Sequence, residues 1–121
     1  MKKHILIVDD EADIRDLLNE FLSGNDYRVT TVGSAGEAML AGQSDPPDLI
    51  ISDLQLENTD GLEMIANLKK AIPGKPVILL TGVLFDPEVV EGVLSTKVDS
   101  YLMKTTPLSR ILETVRNLLK E

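Results

Sequence analysis

Apolar segments alternate with amphipathic helical patterns along this chain, and the alternation restricts the fold more than any other feature. The apolar runs fall at residues 5–8, 29–32, 49–51, 77–80 and 98–103. The first, third and fourth are almost continuous in Ile, Leu and Val, as is typical of strands buried on both faces of a parallel sheet. The pattern therefore predicts an α/β fold, with a five-stranded parallel sheet covered by helices.

Helical patterns occupy the segments that separate or follow the strands. The first has apolar residues at i, i+3, i+4, i+7 and i+8 and ends before Gly24. Its predicted inward residues are Ile14, Leu17, Leu18, Phe21 and Leu22. Capping signals predict the starts of four further helices near Ser34, Asp60, Asp86 and Thr106. Right-handed crossovers between parallel strands then place five helices on both faces of the sheet.

Bulk properties exclude several classes of protein. A chain of 121 residues without a linker or repeat is expected to be one domain, residues 1–121. The net charge of −8 argues against direct nucleic acid binding. The absence of cysteine excludes disulfides and thiol chemistry. The apolar run behind Met1 is too short for a signal peptide or a membrane span, so we expect no membrane association and a cytoplasmic location.

Chemically active side chains follow four of the predicted strands. Asp9 and Asp10 follow the first strand and Asp53 the third, while Thr81 follows the fourth and Lys104 the fifth. The carboxyl ends of parallel strands meet at one edge of the sheet, which is where open α/β folds bind ligands. We therefore expect an acidic cluster, a hydroxyl group and a cation to lie together there.

The expected cluster suits a metal ion and a phosphoryl group. Two carboxylates about 4 Å apart repel by roughly 4 kcal/mol at an effective dielectric near 20, and a cation between them removes this cost. Oxygen ligands suit Mg²⁺, which Asp10 and Asp53 can hold, with Asp9 acting directly or through water. Asp53 can then be the nucleophile that forms an acyl phosphate. Lys104 can neutralise phosphoryl charge, and Thr81 can donate a hydrogen bond.

The chain resembles the receiver domain of two-component response regulators, including the chemotaxis type, over nearly its whole length. The resemblance rests on Val8-Asp9-Asp10-Glu11, Asp53-Leu54 with Asp60-Gly61, Leu80-Thr81-Gly82 and Tyr101-Leu102-Met103-Lys104. It implies a flavodoxin-like fold with strand order 2-1-3-4-5. It also implies phosphoryl transfer to Asp53 from a histidine of a partner kinase or phosphotransfer protein. The backbone carbonyl of Gln55 would complete the Mg²⁺ shell.

The resemblance further implies a conformational switch. Thr81 would move toward the phosphoryl group and Tyr101 would turn inward into the vacated space. The surface of the fourth helix, fifth strand and fifth helix would change, and a downstream effector protein or domain would read it. Such a domain is not an enzyme beyond catalysing its own phosphorylation and dephosphorylation. A phosphorylation-dependent dimer, and whether the chain is a stand-alone regulator or part of a longer protein, are left open.

Three positions depart from the family pattern. Lys104 is followed by Thr105-Thr106 where the family commonly has proline, often with a cis peptide bond. Glu57 occupies a position where proline is frequent. Lys97-Val98 replaces a common Gly-Ala pair before the fifth strand. We expect these changes to alter the lifetime of the phosphorylated state and the choice of partner rather than the reaction.

Other interpretations use the same residues. The chain could be a phosphorylation-independent interaction module, although such receivers usually lack part of the acidic and lysine set that is present here. A flavin-binding domain is disfavoured because Asp9 and Asp10 would repel a phosphate. An aspartyl-phosphate hydrolase would want an acid at Gln55. Individually, Asp10 could merely cap the first helix, Lys104 could be a solvated charge, and Tyr101 could be ordinary strand packing.

Overall fold

The computed structural model describes residues 2–53, 55–56, 59–82 and 98–120. The strands of the main sheet are β1 His4–Val8, β2 Arg28–Val32, β3 Leu49–Ser52, β4 Val77–Thr81 and β5 Ser100–Met103. The helices in the described ranges are α1 Ala12–Ser23, α2 Ala35–Ser44, α3 Gly61–Ala71 and α4 Leu108–Leu118. A short hairpin after β3 pairs Gln55–Leu56 with Thr59–Asp60 in antiparallel fashion.

The five strands of the main sheet are parallel and lie in the order β2-β1-β3-β4-β5. This confirms the predicted order 2-1-3-4-5. The register pairs Val8 with Ser52 and Thr81 with Met103, so the carboxyl ends of neighbouring strands are level. Residues directly after β1, β3 and β5 therefore emerge at one edge of the sheet.

The sheet separates two apolar cores, because alternate side chains of each strand point to opposite faces. On one face, Leu6 of β1 belongs to a buried cluster with Ala38 of α2 and Leu68 of α3. On the other face, Ile7 belongs to a cluster with Leu18 of α1 and with α4. All five residues of β1 are buried, as the continuous apolar run predicts.

The predicted start of α2 is confirmed. Ser34 caps α2, accepting a hydrogen bond from the backbone N–H of Glu37 at 3.2 Å. His4 begins β1, and its Nε2 lies 2.7 Å from Oγ1 of Thr30. No helix in the described part of the chain is both long and apolar enough to cross a bilayer.

Other local predictions need correction. Leu17 is 48% exposed rather than inward, because Leu18 and Leu22 already fill the space between α1 and the sheet. Helix α2 continues from its predicted start to Ser44. The N-cap of α4 is Pro107, whose ψ of 143° is not helical, and not Thr106, where the capping signal was expected. The helix expected from Asp86 lies outside the described residues.

Gly42 allows α2 to approach α3 closely. A Cβ at this position would lie 2.6 Å from Cδ1 of Ile72, a distance that real Cβ atoms do not show. Gly42→Ala is therefore expected to force the end of the Ile72 side chain to move, a cost that offsets the gain in helix propensity from alanine. Ile72→Val removes Cδ1 and creates the missing space, so the double variant should be more stable than the sum of the single effects by about 1 kcal/mol.

Chemical denaturation of the wild type, both single variants and the double variant measures this coupling. Ile72→Val by itself should cost about 0.5–1.5 kcal/mol, as is usual for this change in a core. If the changes in the two single variants sum to the change in the double variant within about 0.3 kcal/mol, the contact inferred between positions 42 and 72 is contradicted.

Candidate functional site

Backbone hydrogen bonds fix the residues that follow the strands. The N–H of Asp53 donates to the carbonyl of Val8 at 2.9 Å, which holds the end of β3 against β1. The N–H of Lys104 donates to the carbonyl of Thr81 at 2.8 Å and holds the end of β5 against β4. The N–H of Asp9 is bound in the same way to the end of β2. These side chains therefore start from rigid positions.

Asp9, Asp10 and Asp53 form an acidic cluster at this edge. One carboxylate oxygen from each lies within 4.8 Å of those of the other two. Asp9 is 2% exposed and Asp53 is 3% exposed, whereas Asp10 faces solvent. Asp10 does not cap α1, because the N-cap residue is Glu11. A group of three close carboxylates, two of them buried, requires positive charge nearby.

Lys104 supplies that charge. Its Nζ lies 2.9 Å from Oδ2 of Asp53, 3.1 Å from Oδ2 of Asp9 and 2.6 Å from Oε2 of Glu11. The Lys104 side chain is only 15% exposed, so it is not a solvated charge at the end of a strand. One ammonium group thus joins the acidic residues after β1 to the acidic residue after β3.

The site shifts the pKa values of its charged groups. Burial raises the pKa of Asp9, and the charge of Asp53 adds to this effect. The N–H of Glu11 and the ammonium of Lys104 partly oppose the rise by hydrogen bonding to the Asp9 carboxylate. Burial by itself lowers the pKa of Lys104, but hydrogen bonds to Glu11, Asp53 and Asp9 outweigh it and raise the pKa. Lys104 is therefore firmly cationic at neutral pH.

Thr81 and Tyr101 lie on neighbouring strands close to this edge. Thr81 is the last residue of β4 and is fully buried. Tyr101 in β5 is partly buried against the core beside α2 and α3, and its hydroxyl donates to Sδ of Met103 at 3.6 Å. The predicted movement of these two side chains on phosphorylation stays a prediction.

Two contributors were missed by sequence reasoning. Glu11, which the sequence placed in the family motif but not at the site, contacts Lys104. Arg15 of α1 donates from Nη1 to the backbone carbonyl of Asp9 at 2.6 Å and so fixes the loop after β1. Glu11 directly follows the acidic pair, and that adjacency is the signal that could have included it. No comparable signal identifies Arg15, because its partner is a backbone atom.

The positions that depart from the family pattern are only partly described. Lys104 reaches the carboxylates without a following proline, and the N–H of Thr106 closes a turn onto the carbonyl of Met103 at 2.9 Å. Among the described residues no peptide bond is cis. Gln55 lies in the short hairpin after Asp53, and its carbonyl as a metal ligand stays a prediction. Glu57 and Lys97 lie outside the described residues.

The arrangement of acidic pair, central aspartate, threonine and lysine can be compared with known proteins. The family model of the response regulator receiver domain matches residues 5–116. The chain belongs to this family. Among curated relatives, the response regulator protein VraR of Staphylococcus aureus is 38% identical over 114 residues, covering 93% of this chain and 54% of that protein. This receiver domain thus spans about half the length of that relative.

Solved structures agree with this assignment. A CheY-like response regulator receiver domain protein from Methanospirillum hungatei JF-1 has a TM-score of 0.91 and 29% identity, covering 99% of this chain and 95% of that one. A two-component response regulator from Clostridium difficile also has a TM-score of 0.91, at 22% identity, covering 99% of this chain and 98% of that one. The second comparison supports the fold alone.

Proposed function

We propose that this receiver domain is a phosphoacceptor switch in which Asp53 takes a phosphoryl group from a histidine of a partner kinase or phosphotransfer protein. The observation that carries the proposal is the placement of Asp53. Its carboxylate is buried at the end of β3, lies in a cluster with Asp9 and Asp10, and contacts Lys104 at 2.9 Å. Family membership supports the same assignment.

The reaction follows from the groups around Asp53. A carboxylate oxygen of Asp53 attacks phosphorus, and a P–O bond forms to give an acyl phosphate. The bond from phosphorus to the donor nitrogen breaks, and that nitrogen keeps the electron pair. Lys104, held cationic by its carboxylate partners, offsets the negative charge of the phosphoryl oxygens. The hydroxyl of Thr81 donates a hydrogen bond to the attached group.

The donor set also fits Mg²⁺. Three carboxylate oxygens from Asp9, Asp10 and Asp53 converge within 4.8 Å, and hard oxygen ligands are those that Mg²⁺ prefers. The Gln55 carbonyl is proposed as a further ligand. The ion, when bound, would offset phosphoryl charge and the mutual repulsion of the carboxylates. Asp10, the exposed member of the cluster, would be the carboxylate ligand that is most accessible to solvent.

The proposed output is a change in the surface of β5, α4 and the helix expected from Asp86, which are the fifth strand, fifth helix and fourth helix of the sequence prediction. Added charge on Asp53 draws Thr81 toward the phosphoryl group and lets Tyr101 turn inward, which biases a two-state surface. A downstream effector protein or domain, or a second copy of the domain, would read that surface. We place this signalling in the cytoplasm and propose no catalysis beyond the domain's own phosphorylation and dephosphorylation.

The test is the intact mass of the protein after incubation with a small-molecule phosphodonor such as acetyl phosphate. We expect a gain of one phosphoryl group in the presence of Mg²⁺ and no gain in the presence of a chelator. The modified protein should lose the group on treatment with hydroxylamine, which cleaves acyl phosphates. A wild-type protein that binds no Mg²⁺ and gains no mass would refute the phosphoacceptor function.

A further inference from the structure

The three protons of the Lys104 ammonium group are matched by three carboxylates. An ammonium group has three N–H donors and no acceptor. Among the described residues, Nζ lies within 3.1 Å of a carboxylate oxygen of Glu11, Asp53 and Asp9. Formation of the acyl phosphate frees the one N–H of Lys104 that the Asp53 carboxylate holds. A second N–H can reach the phosphoryl oxygens only if Asp9 or Glu11 releases it.

Glu11 is the partner placed to do so. The side chains of Asp9 and Asp53 are 2% and 4% exposed and are held at the ends of buried strands, whereas that of Glu11 is 58% exposed. The Glu11 carboxylate can turn into water without leaving a buried charge unpaired. Its contact with Lys104 is also the shortest of the three, at 2.6 Å.

Among the residues that the structure describes, Lys104 is the hydrogen-bond partner of the Glu11 carboxylate, and the side chain does not cap the helix. It stands at the N-cap of α1, yet it makes no capping hydrogen bond. Its backbone is fixed separately, because its N–H donates to Oδ1 of Asp9 at 2.9 Å. The loop thus aims the side chain across the sheet edge at Lys104, 93 residues away in sequence.

We propose that Glu11 competes with the phosphoryl group for Lys104 and so slows phosphoryl uptake at Asp53. This inference rests on the proposed function. In the unphosphorylated domain, Glu11 holds one of the N–H donors that the incoming group requires. Phosphorylation replaces the single negative charge of the Asp53 carboxylate with about −1.5 to −2 on the phosphoryl group, and the increased repulsion drives Glu11 away from the site.

The test compares variants that separate contact from charge. Glu11→Gln removes the charge, while Glu11→Asp keeps it but shortens the side chain by about 1.5 Å, beyond hydrogen-bond range of Lys104. Asp13→Asn is the matched control, an exposed acid in the first turn of α1 whose loss makes the same change in net charge. Initial rates of mass gain with acetyl phosphate and saturating Mg²⁺ are measured at about 0.15 M salt, where distant charges are screened.

We expect Glu11→Gln and Glu11→Asp to take up the phosphoryl group about two- to fivefold faster than the wild type, the range expected for loss of an exposed ion pair. Asp13→Asn should stay close to the wild-type rate. Rates for both Glu11 variants equal to that of Asp13→Asn would overturn the inference while leaving the proposed function intact. No uptake by the wild type would refute the proposed function, and the inference with it.

A second measurement does not depend on phosphoryl transfer. Trace acetylation followed by peptide mass analysis reports how readily each lysine amine is released from its partners. Lys104 should be labelled faster in both Glu11 variants than in the wild type, with Lys69 as an internal reference on the surface. Unchanged labelling of Lys104 would show that Glu11 does not restrain it and would overturn the inference.

Discussion

Asp53→Asn is expected to abolish the Mg²⁺-dependent gain of a phosphoryl group. An amide oxygen is a far weaker nucleophile than a carboxylate, and neither of the other two carboxylates in the described acidic cluster is placed to replace it. Asp9 is buried, and its Oδ1 already accepts the N–H of Glu11 at 2.9 Å. Asp10 is exposed and is not among the carboxylates that contact Lys104 in the described part of the chain. Intact mass over time measures the effect, and we expect no detectable phosphorylated form of Asp53→Asn.

Asp10→Asn is the matched control, because it makes the same chemical change within the same cluster. We expect it to take up one phosphoryl group more slowly and to need more Mg²⁺, with the label still on Asp53 in peptide mapping. Asn has nearly the shape of Asp, so Asp53→Asn should fold, which circular dichroism checks. A full gain of mass in folded Asp53→Asn, with the label on Asp9 or Asp10, would contradict the assignment of the acceptor.

Lys104→Met is expected to lower the free energy of unfolding by roughly 3 kcal/mol at pH 7 in the presence of a chelator. The reason is that Asp9 and Asp53 would remain buried without their cation, and an uncompensated buried charge costs more than the ion pair contributed. Methionine keeps most of the apolar length of the side chain, so packing changes little. Denaturant titration of the two proteins measures the difference.

The effect should depend on pH in a defined direction. Burial already raises the pKa of Asp9 above its ordinary value of 3.8, and loss of Lys104 removes hydrogen bonding and charge that oppose the rise. A carboxyl group with a raised pKa in the folded state binds its proton more tightly in the folded protein than in the unfolded one. Its ionisation therefore lowers the free energy of unfolding as the pH rises through the folded-state pKa. The difference in free energy of unfolding between Lys104→Met and the wild type should therefore become smaller as the pH falls toward 3.8.

Magnesium and a surface lysine provide the controls. Added Mg²⁺ should stabilise Lys104→Met more than the wild type, because the ion replaces the missing positive charge. Lys69→Met removes a half-exposed partner of Asp99 and should cost no more than about 1 kcal/mol. If Lys104→Met costs no more than Lys69→Met in chelator, Lys104 does not hold the buried carboxylates.

The main architecture could be predicted because it depends on local patterns. Continuous apolar runs identified β1, β3 and β4, since strands buried on both faces carry few polar residues. The Ser34–Glu37 spacing identified the start of α2. The same kind of reasoning failed at Leu17, because periodicity defines a helix face more widely than the surface that the sheet covers.

The gathering of Asp9, Asp10, Asp53 and Lys104 could also be predicted, because each directly follows a strand and parallel strands end at one edge. The sequence by itself therefore determined the fold class, the strands and the residues that directly follow the strands at the site. Only the tertiary structure decided which side chains touch. It brought Glu11 to Lys104 and Arg15 to the carbonyl of Asp9. These contacts depend on where each side chain lies and points at the edge of the sheet, and such positions leave no periodic signal in the sequence.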